Sequence, residues 1–161
     1  MLKVRDGRLE WTQVIRSNDL VLGVPHNFVQ FTSLQEIMAG WLDLEVGQYN
    51  QVADSLHVYQ ESQEVVNDSE PISVEANEDS LMFPKAESDK YFFGLEERAE
   101  RFINEELSQD EHRQNSEWVE APEGIQNILS ILSAEAARRR GWNSILEDAM
   151  LRCSNPALVQ L

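Results

Sequence analysis

"VIRSNDLVLGVPHNFVQF", Val14 to Phe31, decides how the rest of the chain is read. It runs from apolar residues into Arg16-Ser17-Asn18-Asp19, turns at Gly23 and Pro25, and becomes apolar again. Gly23 permits a tight bend, and Pro25 restricts the residue before it. The run therefore marks a strand that ends in polar groups, followed by a turn into a helix. Upstream, in "VRDGRLEWTQVIRS", Asp6-Gly7 is a two-residue hairpin signal. It joins a short strand to one running from Arg8 to about Ser17. Downstream, Phe31, Leu34, Met38 and Trp41/Leu42 recur at helical spacing. Ser33 and Glu36 match a capping box, which predicts a helix start near Ser33.

"LEVGQY" is expected to break that helix, and "YNQVADSLHVYQ" to return to strand. Ala53, Ser55, His57 and Tyr59 then share one face, because strand side chains alternate with period two. From Glu61 to Ser80 there are seven acids and no bases, the pattern of a solvated loop or partly disordered linker. The "NDS" at Asn67 matches a glycosylation pattern without a secretory context. Beyond it the pattern is helical. Leu95, Ala99, Phe102, Ile103 and Leu107 form one stripe, and Glu97 and Arg101 are placed for an exposed pair. Pro122 sits near the start of a second helix with the stripe Ile125, Ile128, Leu129 and Leu132. "ARRRG" ends it, and Ser144 and Glu147 open a third. Arg138–Arg140 is read as dipole complementation on a solvated face, with an anion site as the alternative.

Bulk properties bound the function. The chain has 161 residues, 42% of them apolar, enough for one domain with a core. No run is long enough for a membrane span and no apolar leader follows Met1, so a cytoplasmic protein without membrane partners is expected. The net charge is −16, and residues 61–161 carry 22 of the 29 acids. Such a surface repels nucleic-acid backbones, which argues against direct DNA or RNA binding. An acidic mimic of nucleic acid would require ordered carboxylates between residues 61 and 80. Cys153 is the single cysteine and reads as a structural residue at a helix end. His26, His57 and His112 share no ligand spacing, so no metal site is expected.

Taken alone, the polar groups leave alternatives open. Arg16 could hold an anion or pair with a surface acid, and Asn27 could cap a helix. His57 and Tyr59 could be ordinary core-edge residues. Their combination is more specific. "RSNDLVLGVPHN", "LEVG" and "SLHVY", in that order and near that spacing, resemble the thymidylate synthase family over about residues 3–60.

The resemblance implies part of a thymidylate synthase-type twisted sheet with packed helices, and with the helical C-terminal region read above, the fold class is α+β. By the resemblance, residues 1–60 are a nucleotide-binding strand-helix-strand segment. Composition and periodicity make 61–90 an acidic loop or linker and 91–161 a helical region packing on the same domain, which does not match the family's C-terminal region. The resemblance also moves the helix start closer to Asn27. Arg16 and Ser17 correspond to the residues that hold a 5′-phosphate, a fork-and-hydroxyl arrangement suited to phosphate oxygens. Asn27 corresponds to the asparagine that pairs with the uracil edge, donating to O4 and accepting from N3–H. Asp19 corresponds to an aspartate near the base and folate, and His57 and Tyr59 to the pair that binds the sugar 3′-hydroxyl.

The implied activity is recognition of a dUMP-type pyrimidine nucleotide for folate-dependent C5 methylation in nucleotide biosynthesis. The cofactor is 5,10-methylenetetrahydrofolate, and the partner is a second copy of the chain, joined through the sheet. The family's attacking cysteine lies farther upstream of the Arg-Ser motif than the residues preceding Arg16 here. No catalytic residue is therefore assigned, and the chain alone is expected to be catalytically incomplete. It reads either as a truncated or late-start product of a longer enzyme, or as a natural fragment. The latter would make it a non-catalytic nucleotide-binding or dimerising scaffold derived from the family. His26 in place of the usual phenylalanine, and Asp54-Ser55-Leu56 before His57, mark a divergent branch.

Overall fold

The computed structural model describes residues 1–64, 75–104 and 106–159. It divides into two compact units, Met1–Ser73 with Met82–Lys85, and Val74–Leu81 with Ala86–Leu161. The glycosylation pattern at Asn67 and part of the acidic stretch lie outside the described residues. None of the helices among the described residues is long and apolar enough to cross a membrane.

The first unit is a three-stranded mixed sheet with one helix. Strands β1 (Leu2–Arg5) and β2 (Arg8–Asp19) form an antiparallel hairpin, and β3 (Glu45–His57) pairs parallel to β2. The hairpin turn is the one Asp6-Gly7 foretells: φ is positive at both residues, 48° and 76°, which matches the twist of the flanking strands. Helix α1 (Gly23–Trp41) makes the crossover that a parallel pair needs. Its aromatic residues seat it on the strands, with Phe31 against Trp11 (5.8 Å between ring centres) and Phe28 edge-on to Tyr49 (5.4 Å).

Two boundaries differ from the sequence reading. Helix α1 starts at Gly23, not near Ser33, which lies well inside the helix. The Asp19 carboxylate accepts from the N–H groups of Val21 (3.3 Å) and Leu22 (2.8 Å) in the entry turn, so no capping box is needed at Ser33. Pro25 falls in the first turn, where a missing N–H costs nothing. Strand β3 starts at Glu45, so "LEVGQY" belongs largely to the strand.

Gly47 explains why. A Cβ there would lie 2.9 Å from the Leu9 carbonyl oxygen, so only glycine allows this approach. The strand register shifts between Leu9 and Trp11, and the buried Gln35 amide bridges the irregularity. It donates to the Leu9 carbonyl at 2.7 Å and the Gly47 carbonyl at 3.1 Å.

The second unit is helical, with α2 (Lys85–Ile103), α3 (Gln109–Asn115), α4 (Glu123–Arg139), α5 (Asn143–Arg152) and α6 (Pro156–Val159). Leu95, Phe102, Ile125, Leu129, Ala137, Ile145 and Ala149 are buried. Ile103 leaves the expected stripe and is 78% exposed, and Leu107 lies beyond the helix end. Helix α4 ends as "ARRRG" suggests, with Gly141 at φ 68°.

Helix α3 was not foreseen. Its Ser108–Glu111 capping box is fully formed: the Ser108 hydroxyl accepts from the Glu111 N–H, and the Glu111 carboxylate accepts from the Ser108 N–H. Sheet and helices together give the expected α+β class.

Candidate functional site

Parallel pairing brings the carboxyl ends of β2 and β3 together. Ser17 pairs with Ser55, Asn18 with Leu56 and Asp19 with His57. Two motifs nearly forty residues apart thus meet at one end of the sheet, the usual ligand position for parallel strands joined by a helix. Ser17 Oγ lies 3.4 Å from His57 Nδ1, and the His57 ring stands edge-on to Tyr59 at 5.0 Å. Tyr59 is exposed. Arg16 is also exposed, and its guanidinium has no protein partner among the described residues, so its five donors remain available to an anion.

Asp19 is held ionised. The Leu22 N–H, aided by those of Val21 and Gly23 and by the charge of His57, keeps its carboxyl below the ordinary range against a smaller opposing effect of desolvation. Its observed contacts are with the turn into α1. His26 points out of the first turn, with Nδ1–H donating to the Leu22 carbonyl.

Asn27 sits one turn into α1 and is half-buried. Its Nδ2 donates to Asn18 Oδ1 at 2.9 Å. Its carbonyl oxygen and second N–H have no partner among the described residues, leaving one acceptor and one donor on the same planar group. Asn18 is only 3% exposed. Sequence reading passed over it because it occupies the variable position of the Arg-Ser-x-Asp motif. The signal that could have found it is its polarity next to a glycine turn.

The structure thus brings Ser17, His57 and Tyr59 into one chain of neighbours and pairs Asn27 with Asn18. It leaves Arg16 unpaired beside them in sequence and uses Asp19 to shape the turn. A cleft of about 850 Å³ in the same unit lies at the other end of β2, among Arg5, Arg8, Glu10 and Glu45, so it does not coincide with these residues.

Cys153 is buried, burial pushes its thiol pKa up, and its Sγ faces the Asn155 carbonyl at 3.7 Å. A protonated, enclosed thiol is not an attacking group. Among the described residues no cluster of three or more His, Cys, Asp or Glu could hold a metal ion. The Arg138 and Arg139 side chains are exposed and bend back to Glu135 on their own helix. Arg138 first and then Arg139 hydrogen-bond Glu135 and hold its carboxyl down at about 2. Arg138 and Arg139 thus share Glu135, while Arg140 donates to the carbonyls of Phe102 and Asn104.

The family model described as thymidylate synthase matches residues 1–93. A deoxyuridylate hydroxymethyltransferase of Bacillus phage SP01 is 50% identical over 58 residues, 35% of this chain and 15% of that protein. A deoxyuridylate hydroxymethyltransferase of Pseudomonas phage M6 is 41% identical over 69 residues, 42% of this chain and 19% of that protein. A thymidylate synthase of Staphylococcus haemolyticus is 30% identical over 86 residues, 50% of this chain and 27% of that protein. The matched segment thus spans between about a seventh and about a quarter of the length of these relatives. Because the family model accounts for more than half of the residues, and its segment carries the strand-end motifs, the chain belongs to the thymidylate synthase family.

Proposed function

We propose that this chain binds a deoxyuridylate-type pyrimidine nucleotide at the carboxyl ends of β2 and β3, as the nucleotide wall of a C5 one-carbon transferase. The observation that carries this is the Asn27 carboxamide, half-buried, with one donor and one acceptor to spare. That pair matches uracil O4 and N3–H, and an edge of opposite pattern leaves buried groups unpaired. Arg16 and Ser17 supply charge-assisted and neutral donors to a 5′-phosphate, and His57 and Tyr59 meet the sugar hydroxyl. Names of relatives support the uracil nucleotide. The phage proteins act on deoxyuridylate and share more identity with this chain than the bacterial synthase does, so the one-carbon unit proposed here is a hydroxymethyl group, with methyl as the family alternative.

The folate donor, bound, would supply a one-carbon unit to C5. Asp19, with the exposed Leu20 and Leu22 beside it, offers one edge of such a site: an ionised acceptor and apolar surface. The chain's own residues orient the base and phosphate. Cys153 takes no part.

Calorimetric titration with dUMP, with dCMP as the matched control, tests this reading. Saturable binding of dUMP is expected, weakened at least about tenfold by Asn27→Asp, since a lost hydrogen bond to a buried edge costs ~1–3 kcal/mol. A folded chain that binds neither nucleotide would end the proposal.

A dimer through the sheet is proposed as well. Val14 and Val52 are direct cross-strand partners and more than half exposed, with Val4 and Val46 also exposed on the strands. Apolar strand surface of this kind is what a self-associating sheet presents. Light scattering is expected to give twice the chain mass, and Val14→Lys with Val52→Glu to give a monomer.

A further inference from the structure

We infer that Asn18 is a positioning residue that sets the Asn27 carboxamide in its uracil-reading orientation, and so fixes the choice between uracil and cytosine nucleotides. The inference rests on the reading of Asn27 proposed above and adds a residue that recognition itself does not touch.

Three observations converge on it. Asn18 is 3% exposed, and its Oδ1 accepts from Asn27 Nδ2 at 2.9 Å. Its own Nδ2 is buried with no hydrogen-bond partner. A Cβ on Gly23 would stand 2.3 Å from Asn18 Oδ1, so glycine at this point of the turn is what leaves room for the Asn18 amide.

A buried amide with an unpartnered N–H₂ group is destabilising, and an apolar residue would avoid that. Asn18 makes a single bond with its amide, to Asn27. That bond ties the orientation of the Asn27 carboxamide to that of Asn18. With Nδ2 tied to Asn18, the remaining N–H and the carbonyl oxygen face a base as donor and acceptor in the order uracil requires. Cytosine presents N4–H₂ and unprotonated N3, the reverse order. To read it, Asn27 would have to turn over, and its carbonyl oxygen would then face Asn18 Oδ1, two acceptors in contact. The two amides form one unit, and only their joint reversal restores the bond, with Asn18 Nδ2 as the donor. An acceptor-only group at position 18 removes that second state.

The test uses the 15N-labelled full chain and four forms: wild type, Asn18→Asp, Asn18→Leu and Gly23→Ala. One readout is exchange protection of the two Asn27 Nδ2 protons without nucleotide. The other is the ratio of dUMP to dCMP dissociation constants. In the wild type one proton is expected to be protected and dUMP preferred. In Asn18→Asp, which keeps the acceptor and has no donor for a reversed Asn27, protection persists and the preference rises. In Asn18→Leu and Gly23→Ala, protection is lost and the preference falls at least about tenfold, the equivalent of one hydrogen bond. A merely structural role for Asn18 would weaken both nucleotides alike and leave the ratio intact. An unchanged ratio in Asn18→Leu, or in Gly23→Ala should the leucine variant not fold, would overturn the inference. Asn27 protection that ignores residue 18 would do so too. A wild-type chain that binds neither nucleotide, its Asn27 proton still protected, would overturn the recognition reading and the discrimination with it.

Discussion

The sheet unit and the helical unit treat their polar groups in opposite ways. In the sheet unit they gather at the ends of β2 and β3 with capacity left over: Arg16 without a protein partner, Asn27 with a donor and an acceptor to spare. In the helical unit polar groups are turned on one another. The Asp79 carboxylate takes both Asn127 Nδ2 (2.9 and 3.1 Å) and Asn155 Nδ2 (2.6 Å), and Asn127 Oδ1 accepts from the Ser154 N–H. The buried His112 ring has Nε2 3.0 Å from Ser133 Oγ and lies against Phe102 and Trp142. Arg140 donates to the carbonyls of Phe102 and Asn104 at the end of α2. In the helical unit the paired groups tie helix to helix, and the polar atoms left without a partner, among them His112 Nδ1 and Arg140 Nη1, are buried. In the sheet unit the spare capacity of Arg16 and Asn27 lies on exposed or half-buried side chains. The contrast fits the proposed recognition role of the first unit and a cohesive role for the polar groups of the second.

The largest effect expected is on the helical side. Ile125 is fully buried in α4, and Ile125→Ala should lower unfolding free energy by ~2–5 kcal/mol in denaturant titration. On the sheet side Arg16→Ala should weaken dUMP about 10- to 100-fold while leaving the melting midpoint and deoxyuridine binding unchanged, because its guanidinium holds no protein group. If Arg16→Ala loses stability instead of affinity, the contrast between the units fails.

A smaller effect should follow pH. Burial first, then the charges of Arg140, Arg152 and Arg113, depress the His112 pKa against the opposing Ser133 hydrogen bond. The folded protein therefore keeps His112 neutral when the unfolded chain, titrating near ~6.5, has taken up a proton. The stabilising contribution is complete above that pH and declines as pH falls below it. Melting curves between about pH 5 and 7 should show the slope, and His112→Asn should flatten it. The smallest effect sharpens a sequence question. Ser108→Ala should cost ~1 kcal/mol through loss of a formed cap, whereas Ser33→Ala, in a helix interior, should cost nothing measurable.

Those two serines show what the sequence could and could not reveal. Both stand three residues before a glutamate. At Ser108 the chain has no competing signal, and the box forms as local chemistry dictates. At Ser33 the helix has already begun ten residues earlier, because Asp19 secures the turn and the aromatic contacts of Phe28 and Phe31 hold the first turns to the strands. Tertiary packing overrode the local pattern there. The Asp6-Gly7 turn was legible for the opposite reason: its positive φ values are a property of the two residues themselves. Strand β3 began earlier than expected because Gly47 serves a close approach to Leu9, a partner 38 residues away.

Of the site, Arg16, Ser17, Asp19, Asn27, His57 and Tyr59 were visible as polar groups in a family-like order. Asn18 was not, since its meaning lies in a contact across a turn. The Asp79–Asn127–Asn155 network was invisible for a similar reason, as its members are 28 to 76 residues apart.

Because β2 and β3 run the same way, the spacing between Ser17 and His57 is fixed by strand register alone. The chain between them can change length without moving either. The turn after α1, where Asp43 takes a left-handed φ of 54°, is far along the sequence from both groups and free of that constraint. Descendants of this chain could lengthen, shorten or decorate that turn and inherit the same strand-end geometry. The architecture separates the length evolution can vary from the strand-end geometry that register holds.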